Sequence, residues 1–514
     1  MDSSAFPEED DSGASLGAGT VGHVSDKDKH KATFQDHLGT LGHITMNLVL
    51  QSLGGFGIGL STFIWVGTLG PQAMGACTLG QMFANISGFS LIYGCATALD
   101  SLCAQEFGAK RYLSIGLHTQ RAILILTLFA LPTVLLWNHA DVILHHVLFI
   151  PMPIAKMAGF WSRTLSAGLW PLICFECLKK YSQARNIVWP AVLTTSLGLF
   201  FNLCANYYVL CVLKKGFEGA ASIVPLQNWL HLVLYVVIIS LRKWVLHWKK
   251  EKSHQRRGEK GEYSKVTTAL DESVGGSSDD FNDPENDWPA LSPAVFEEWV
   301  PFLKLGVPAA LSLFVEWGSF ELAASIAGQL GTTGLSAHGV NMSTCGLLYM
   351  IPLSVSSATT TVAGHIIGSG DVDGARAILG IGVGIDFAYG ALAAALLVFV
   401  LRGRWGHVFT QDADTLQLIY DTTPMLGLYT VVDATKCITL NILRSGGLPS
   451  ITLYVNSFVC VVVMVPLGWF LALRQGYGLA GLWFAMSFSW FLATCFFGYF
   501  LATLNLSRLK VIQE

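Results

Sequence analysis

Between residues 39 and 503 the chain is a succession of apolar runs long enough to cross a bilayer. Twelve can be marked: 39–67, 72–103, 116–138, 153–182, 188–212, 219–241, 297–329, 334–367, 374–401, 414–443, 449–473 and 479–503. The hydrocarbon core of a bilayer is about 30 Å thick, which takes about 20 helical residues. No water reaches the backbone there, so each run has to close its own hydrogen bonds as a helix. With 52% hydrophobic and 13% charged residues, the composition excludes an ordinary soluble enzyme. The expected fold class is an all-α polytopic membrane protein with twelve transmembrane helices.

One long polar connection divides the runs six plus six. The domain reading is a disordered cytosolic tail (1–37), an N-lobe (38–241), a cytosolic linker (242–296), a C-lobe (297–503) and a short cytosolic tail (504–514). No N-terminal signal peptide is visible. Lysine and arginine counts set the orientation. Placing both tails and the linker on one side gives that side Lys110, Arg111, Lys179, Lys180, Arg185, Arg376 and Arg444. The opposite loops hold Lys214, Lys215, Arg402, Arg404 and Arg474. Both termini are therefore expected in the cytosol. The linker has a basic half and an acidic half. It reads as a solvated connection, with a membrane-surface or phosphorylation switch as the alternative, because Trp244 and Trp248 lie among its basic residues.

The halves repeat. Gly67 and Gly70 answer Gly328 and Gly331; Arg185 and Pro190 answer Arg444 and Pro449; Gly216 and Gly219 answer Gly478 and Gly481. Six spans per half make this a parallel duplication. Such repeats frame a site near the midplane at their interface and work by rocking one half on the other. A transporter built as two parallel six-helix lobes is the reading this favours.

Charges inside apolar runs are the candidate working parts. A lone charge at the bilayer centre costs about 2.5–3.5 kcal/mol on insertion scales. Run 297–329 holds Glu316 and Glu321 in LSLFVEWGSFE. Helical spacing puts them on different faces, so they share a narrow pocket only if the helix unwinds at Gly318. Run 414–443 holds Asp433 and Lys436, one turn apart on the face of Tyr429, Thr430 and Cys437. The expectation is that they pair. Glu176, with Lys179 and Lys180, repeats the arrangement in the first half. On the first run His43, Asn47, Gln51, Gly54, Ser61 and Trp65 form a polar and small stripe, lining a cavity or packing closely. His338, with Asn341 one turn on, is a further titratable candidate. Asp100 is expected near Lys110 and Arg111 as a gate or helix-end contact. Cys174 and Cys177, one turn apart in an apolar run, read as packing.

At ALDSLCAQEFGAK (98–110), VEWGSFE (315–321), YMIPLSVSSATTTVAG (349–364) and GLAGLW (478–483), the chain resembles the multidrug and toxic compound extrusion (MATE) family, in its eukaryotic branch. The resemblance covers roughly 40–503. It implies a V-shaped pair of six-helix lobes. It implies antiport, with an organic cation or amphipathic solute leaving as protons, or sodium, enter. Glu316 and Glu321 fall on the family's helix-seven acids, and Asp433 on its helix-ten acid. Asp100, Gln105 and Gly108 fall on the helix-two exit motif. Asn202, Asn206, Asn456 and Pro466 match polar and hinge positions of helices five and eleven. Three positions depart from the family pattern. The first run has no acid, only Asn47 and Gln51. Ser343 stands where animal members carry an acid. Lys436 stands where plant members tend to have a neutral polar residue.

The sequence thus predicts a secondary antiporter for small organic cations, amphipathic metabolites or xenobiotics. It acts as a monomer among membrane lipids, in the plasma or vacuolar membrane. It has no cofactor, no metal site, no nucleic-acid partner and no enzymatic centre. Glu316 is the acid for which proton and solute compete. One proton exchanged for one monovalent cation moves no net charge. The rivals are a lipid-linked flippase, which would need a basic cavity, and an intramembrane enzyme, which would need converging His or acid ligands.

Overall fold

A computed structural model describes residues 26–146, 150–260, 288–289 and 292–503. All the long elements are helices: α1 (Asp26–Gly67), α2 (Pro71–Gly108), α3 (Tyr112–Asn138), α4a (Met152–Ser166), α4b (Leu169–Ala184), α5 (Trp189–Val212), α6 (Gly216–Lys260), α7 (Trp299–Gln329), α8 (Thr332–Ser369), α9 (Val372–Leu401), α10 (Ala413–Ser445), α11 (Pro449–Arg474) and α12 (Gly478–Thr503). No strand occurs among the described residues. Eleven of these helices are long and apolar enough to cross a membrane. The twelfth crossing is the pair α4a and α4b, each too short alone.

The break has a local cause. Pro171 has no N–H, and its ring displaces the Ala167 carbonyl from a helical bond. Two side chains of α6 take over the exposed backbone. Trp229 Nε1 donates to Ala167 O at 3.1 Å, and Asn228 Nδ2 donates to Gly168 O at 3.1 Å. Backbone freed at membrane depth has to find such partners.

The duplication shows in the turns. Gly70 and Gly331 precede α2 and α8 with φ of 105° and 95°, a region side-chain-bearing residues rarely adopt. Pro190 and Pro449 sit in the first turns of α5 and α11. Both of these helices close on a π-helical turn, Tyr208–Val212 and Phe470–Arg474. The halves are thus α1–α6 and α7–α12. The first buries Leu99, Trp137 and Trp161, the second Trp483, Trp490 and Phe497. Leu131, Phe200, Leu392 and Phe399 stay exposed, as a surface bathed in lipid requires.

Two boundaries differ from the sequence reading. Helix α1 starts at Asp26, inside the stretch read as a tail, and α6 continues to Lys260, inside the linker. The rest of the N-terminal tail, residues 261–287 of the linker and the C-terminal tail lie outside the described residues. The far end of the linker docks on the first half. Gln120 donates to Pro289 O at 2.8 Å, Arg121 holds Ala294 O at 3.1 Å and Glu298 at 3.0 Å, and Trp288 meets the Tyr181 ring.

The halves meet closely at one end. A methyl group at Gly108 of α2 would collide with the His365 carbonyl of α8, and one at Gly368 with the Gln105 carbonyl. Ser101 donates to Ser445 O at 2.6 Å, Gln183 to Ser357 Oγ at 2.8 Å, and His365 Nε2 lies 2.7 Å from Ala184 O. Tyr93 against Trp317 and Ser52 against Ser354 continue the seam to mid-bundle. Every contact between halves named here lies between the middle and that end.

Candidate functional site

Glu316 is buried on α7, which runs unbroken through Gly318. Its Oε1 accepts from Lys436 Nζ at 2.5 Å, across the gap to α10. Its Oε2 accepts from Asn456 Nδ2 of α11 at 3.1 Å. Asn456 also donates to Ser312 Oγ at 3.0 Å, and Arg444 Nη2 donates to the same oxygen at 3.1 Å. Lys436 has no exposure, and its ammonium lies 3.9 Å from the centre of the Trp490 ring. Two ions at this depth are tolerated because each meets the other plus further polar or aromatic groups.

This corrects the expected pairing of Asp433 with Lys436. Among the described residues Asp433 makes no hydrogen bond or ion pair. It lines a small cavity with Cys345, Leu348, Tyr349, Tyr429 and Thr430. The longer lysine arm reaches α7 instead, where Asn456 already orients the Glu316 carboxylate and Trp490 supplies a ring face.

An aromatic ladder continues from the lysine. Trp490 Nε1 donates to Tyr429 OH at 2.9 Å, Tyr429 meets Trp483 at 5.3 Å, and Trp483 meets His338 at 5.6 Å. His338 is buried, and neither ring nitrogen has a partner among the described residues. Asn341 donates to Thr422 Oγ1 at 2.9 Å. Tyr429 thus joins the network directly and His338 through rings. Glu321 stays apart, partly exposed and unpaired among the described residues.

The first half places its candidates differently. Glu176 pairs with Lys179 at 2.5 Å, as the spacing predicts. Asp100 binds Lys180 at 2.6 Å rather than Lys110 or Arg111; Arg111 goes to Glu106 at 2.8 Å. The nearby crevice between halves is lined by Asp100, Ser101, Gln105, Thr360, Gly364 and Gly446. On α1, Gly54 packs on Thr195 of α5, Asn47 donates to its own-helix His43 carbonyl at 2.8 Å, and Gln51 keeps a buried oxygen without a partner among the described residues. Cys174 and Cys177 are buried thiols.

Sequence reasoning missed two features. Asn202 of α5 donates to Thr62 Oγ1 at 3.1 Å and to Gln227 Oε1 at 2.8 Å, and receives Asn206 Nδ2 at 3.1 Å. Gln227 of α6 was the missing member; an amide in an apolar run is its signal. The other is Asp386 of α9, fully buried. A single acid does not interrupt the hydropathy of run 374–401, so it passed as part of a span.

The family model for MatE matches residues 47–208 and 308–470, one segment in each half. Protein DETOXIFICATION 16 of Arabidopsis thaliana is 26% identical over 440 residues, covering 85% of this chain and 82% of that protein. Multidrug and toxin extrusion protein 2 of Oryctolagus cuniculus is 28% identical over 437 residues, covering 84% and 65%. The crystal structure of the eukaryotic MATE transporter AtDTX14 superposes with a TM-score of 0.79 at 22% identity, over 93% of this chain and 98% of that one.

Proposed function

The chain belongs to the MatE family and is a multi-pass membrane transporter rather than an enzyme, and from that premise we propose that it is a secondary antiporter exchanging organic cations for protons at Glu316. The observation that carries the reading is the buried Glu316–Lys436 pair, an acid that a cation already occupies.

The Lys436 ammonium and a proton compete for Glu316, and the ammonium and the solute compete for Asp433. When a proton takes Glu316, the ammonium loses its partner. Asp433, one turn back on α10, is then the acid left to hold it. That swing neutralises the cavity where Asp433, Tyr349 and Tyr429 would otherwise hold an organic cation by charge and ring faces. Proton entry and solute release are thereby one event. Desolvation strengthens each of these attractions, because the groups lie at membrane depth.

The lysine and arginine distribution puts both termini in the cytosol. The closed end, with Gly108 against His365 and Gln105 against Gly368, is then cytosolic, and the site opens outward in this conformation. The family's solutes and the small cavity suit a small cationic or amphipathic compound. Plasma and vacuolar membranes both supply an acidic far side. The test is uptake of tetraethylammonium into proteoliposomes under an imposed pH difference or an imposed sodium difference. Antiport with protons requires the pH difference to drive accumulation and the sodium difference to leave it flat. Accumulation driven by sodium alone, or by neither, contradicts the reading.

A further inference from the structure

Outside the Glu316 network one acid is both fully buried and unpartnered among the described residues. Asp386 lies near the middle of α9, with no exposure and with neither carboxylate oxygen partnered among the described residues. Its helix turns Phe387, Leu392, Leu396 and Phe399 outward, where they stay exposed. Asp386 faces the other way. Gly382 and Gly390, one turn before and one after, define that face. A methyl at Gly382 would collide with Thr359 of α8 and Ile438 of α10, and one at Gly390 would press on Val431 and Ala434 of α10. The acid therefore sits inside the seam where α9 meets α8 and α10.

Its surroundings decide its charge. An ionised carboxylate here would have neither a hydrogen-bond donor nor a cation among the described residues, a costly state for a buried group. Protonation would remove the buried charge and leave only the smaller cost of an unpartnered hydroxyl and carbonyl. The titratable groups within electrostatic reach are the Cys437 thiol of α10 and Tyr389 on its own helix, whose hydroxyl donates to Leu348 O at 3.0 Å. No charged side chain of α8 or α10 pairs with it among the described residues. Exchangeable hydrogens lead away from the seam. Cys437 Sγ lies 3.5 Å from Ser356 Oγ and 3.4 Å from Tyr349 OH. Tyr349 lines the cavity that Asp433 faces.

We propose that Asp386 is a second proton-carrying site, loaded from the acidic side and emptied into the cytosol once per transport cycle. An isolated acid facing the interior of a membrane bundle is a functional residue by default, and neither the pairing at Glu316 nor the cavity at Asp433 uses this one. The inference rests on the antiport reading and extends it: two protons enter for each monovalent cation, so each cycle moves one net charge.

The experiment measures the equilibrium accumulation ratio of tetraethylammonium in proteoliposomes, with the membrane potential clamped at zero by potassium and valinomycin. An equilibrium ratio counts protons and is insensitive to slower turnover. Each coupled proton gives about a tenfold ratio per pH unit. The wild type should reach about hundredfold per pH unit, and Asp386→Asn about tenfold. Asp386→Leu, an apolar stand-in that needs no donor, is the second variant in case the amide does not fold, with the same expected ratio. A wild-type ratio near tenfold overturns the proposal, as does a hundredfold ratio retained in either variant. Absence of any pH-driven accumulation in the wild type instead overturns the antiport reading beneath it.

Discussion

Lys179 and Lys436 lie on corresponding helices of the two halves, each three residues after an acid. Lys179 keeps the acid of its own helix, the buried Glu176, while its own side chain stays partly exposed. Lys436 ignores Asp433 and crosses to Glu316, and it is fully buried. The difference lies in the neighbouring helix. The counterpart of α7 in the first half is α1, and between Leu38 and Gly67 it has no acidic residue. A lysine there has no α1 acid to reach, and its neighbour Lys180 crosses to Asp100 of α2 instead. Against α1 the first half is accordingly knit by the amides of Asn202, Asn206 and Gln227, and its ion pairs use partly exposed cations, whereas the second half holds a fully buried lysine in its ion pair. Amide networks fix a packing. An ion pair can be competed for by another cation, which is what coupling needs.

The sharpest way to break this comparison is to remove one ion from the second half. Lys436→Met leaves Glu316 buried with Asn456 as its remaining donor, a loss of about 3–5 kcal/mol. Adding Glu316→Gln should recover most of it, because the double variant buries no unpaired charge. A double-mutant cycle on thermal unfolding reads the coupling, and additive losses would mean the pair is not what stabilises the core.

The matching cut in the first half is Asn202→Ala. It strands Gln227 Oε1 and leaves Asn206 Nδ2 with only the backbone carbonyl of residue 202, for about 1–3 kcal/mol. The pH-driven accumulation ratio should stay at the wild-type value, since no titrating group is lost. A changed ratio would place coupling in both halves. Smallest of all, Lys179→Met should cost about 1–2 kcal/mol, because Lys179 is partly exposed and water can take its place beside Glu176. A larger loss would show that the two lysines do equivalent work.

Much of this architecture was legible in the sequence, and the gaps have physical reasons. Apolar length gave the spans, and the glycine and proline offsets gave the duplication, because turns and helix starts constrain residue type wherever they occur. The break between α4a and α4b was not legible. Several other helices carry a proline and continue, so Pro171 signals a break only together with Gly168 and the α6 side chains that donate to the carbonyls at the break. The Asp433–Lys436 expectation failed for a related reason. Spacing along one helix reports which groups share a face, but a buried lysine chooses among helices, and the pull of Glu316 and Trp490 is a tertiary fact. Asp100 went to Lys180 rather than Arg111 in the same way. Asp386 was overlooked because hydropathy averages away a lone acid.

The central claim is that Glu316 couples proton and solute, and Glu316→Gln tests it most directly. The amide mimics the protonated acid and leaves Lys436 with Asp433 one turn away, so the variant should fold and reconstitute. Tetraethylammonium accumulation in proteoliposomes under a pH difference is the measurement. The account predicts that it falls to the level of protein-free vesicles. Accumulation close to wild type would contradict the account and move the coupling site to Asp433 or Glu321.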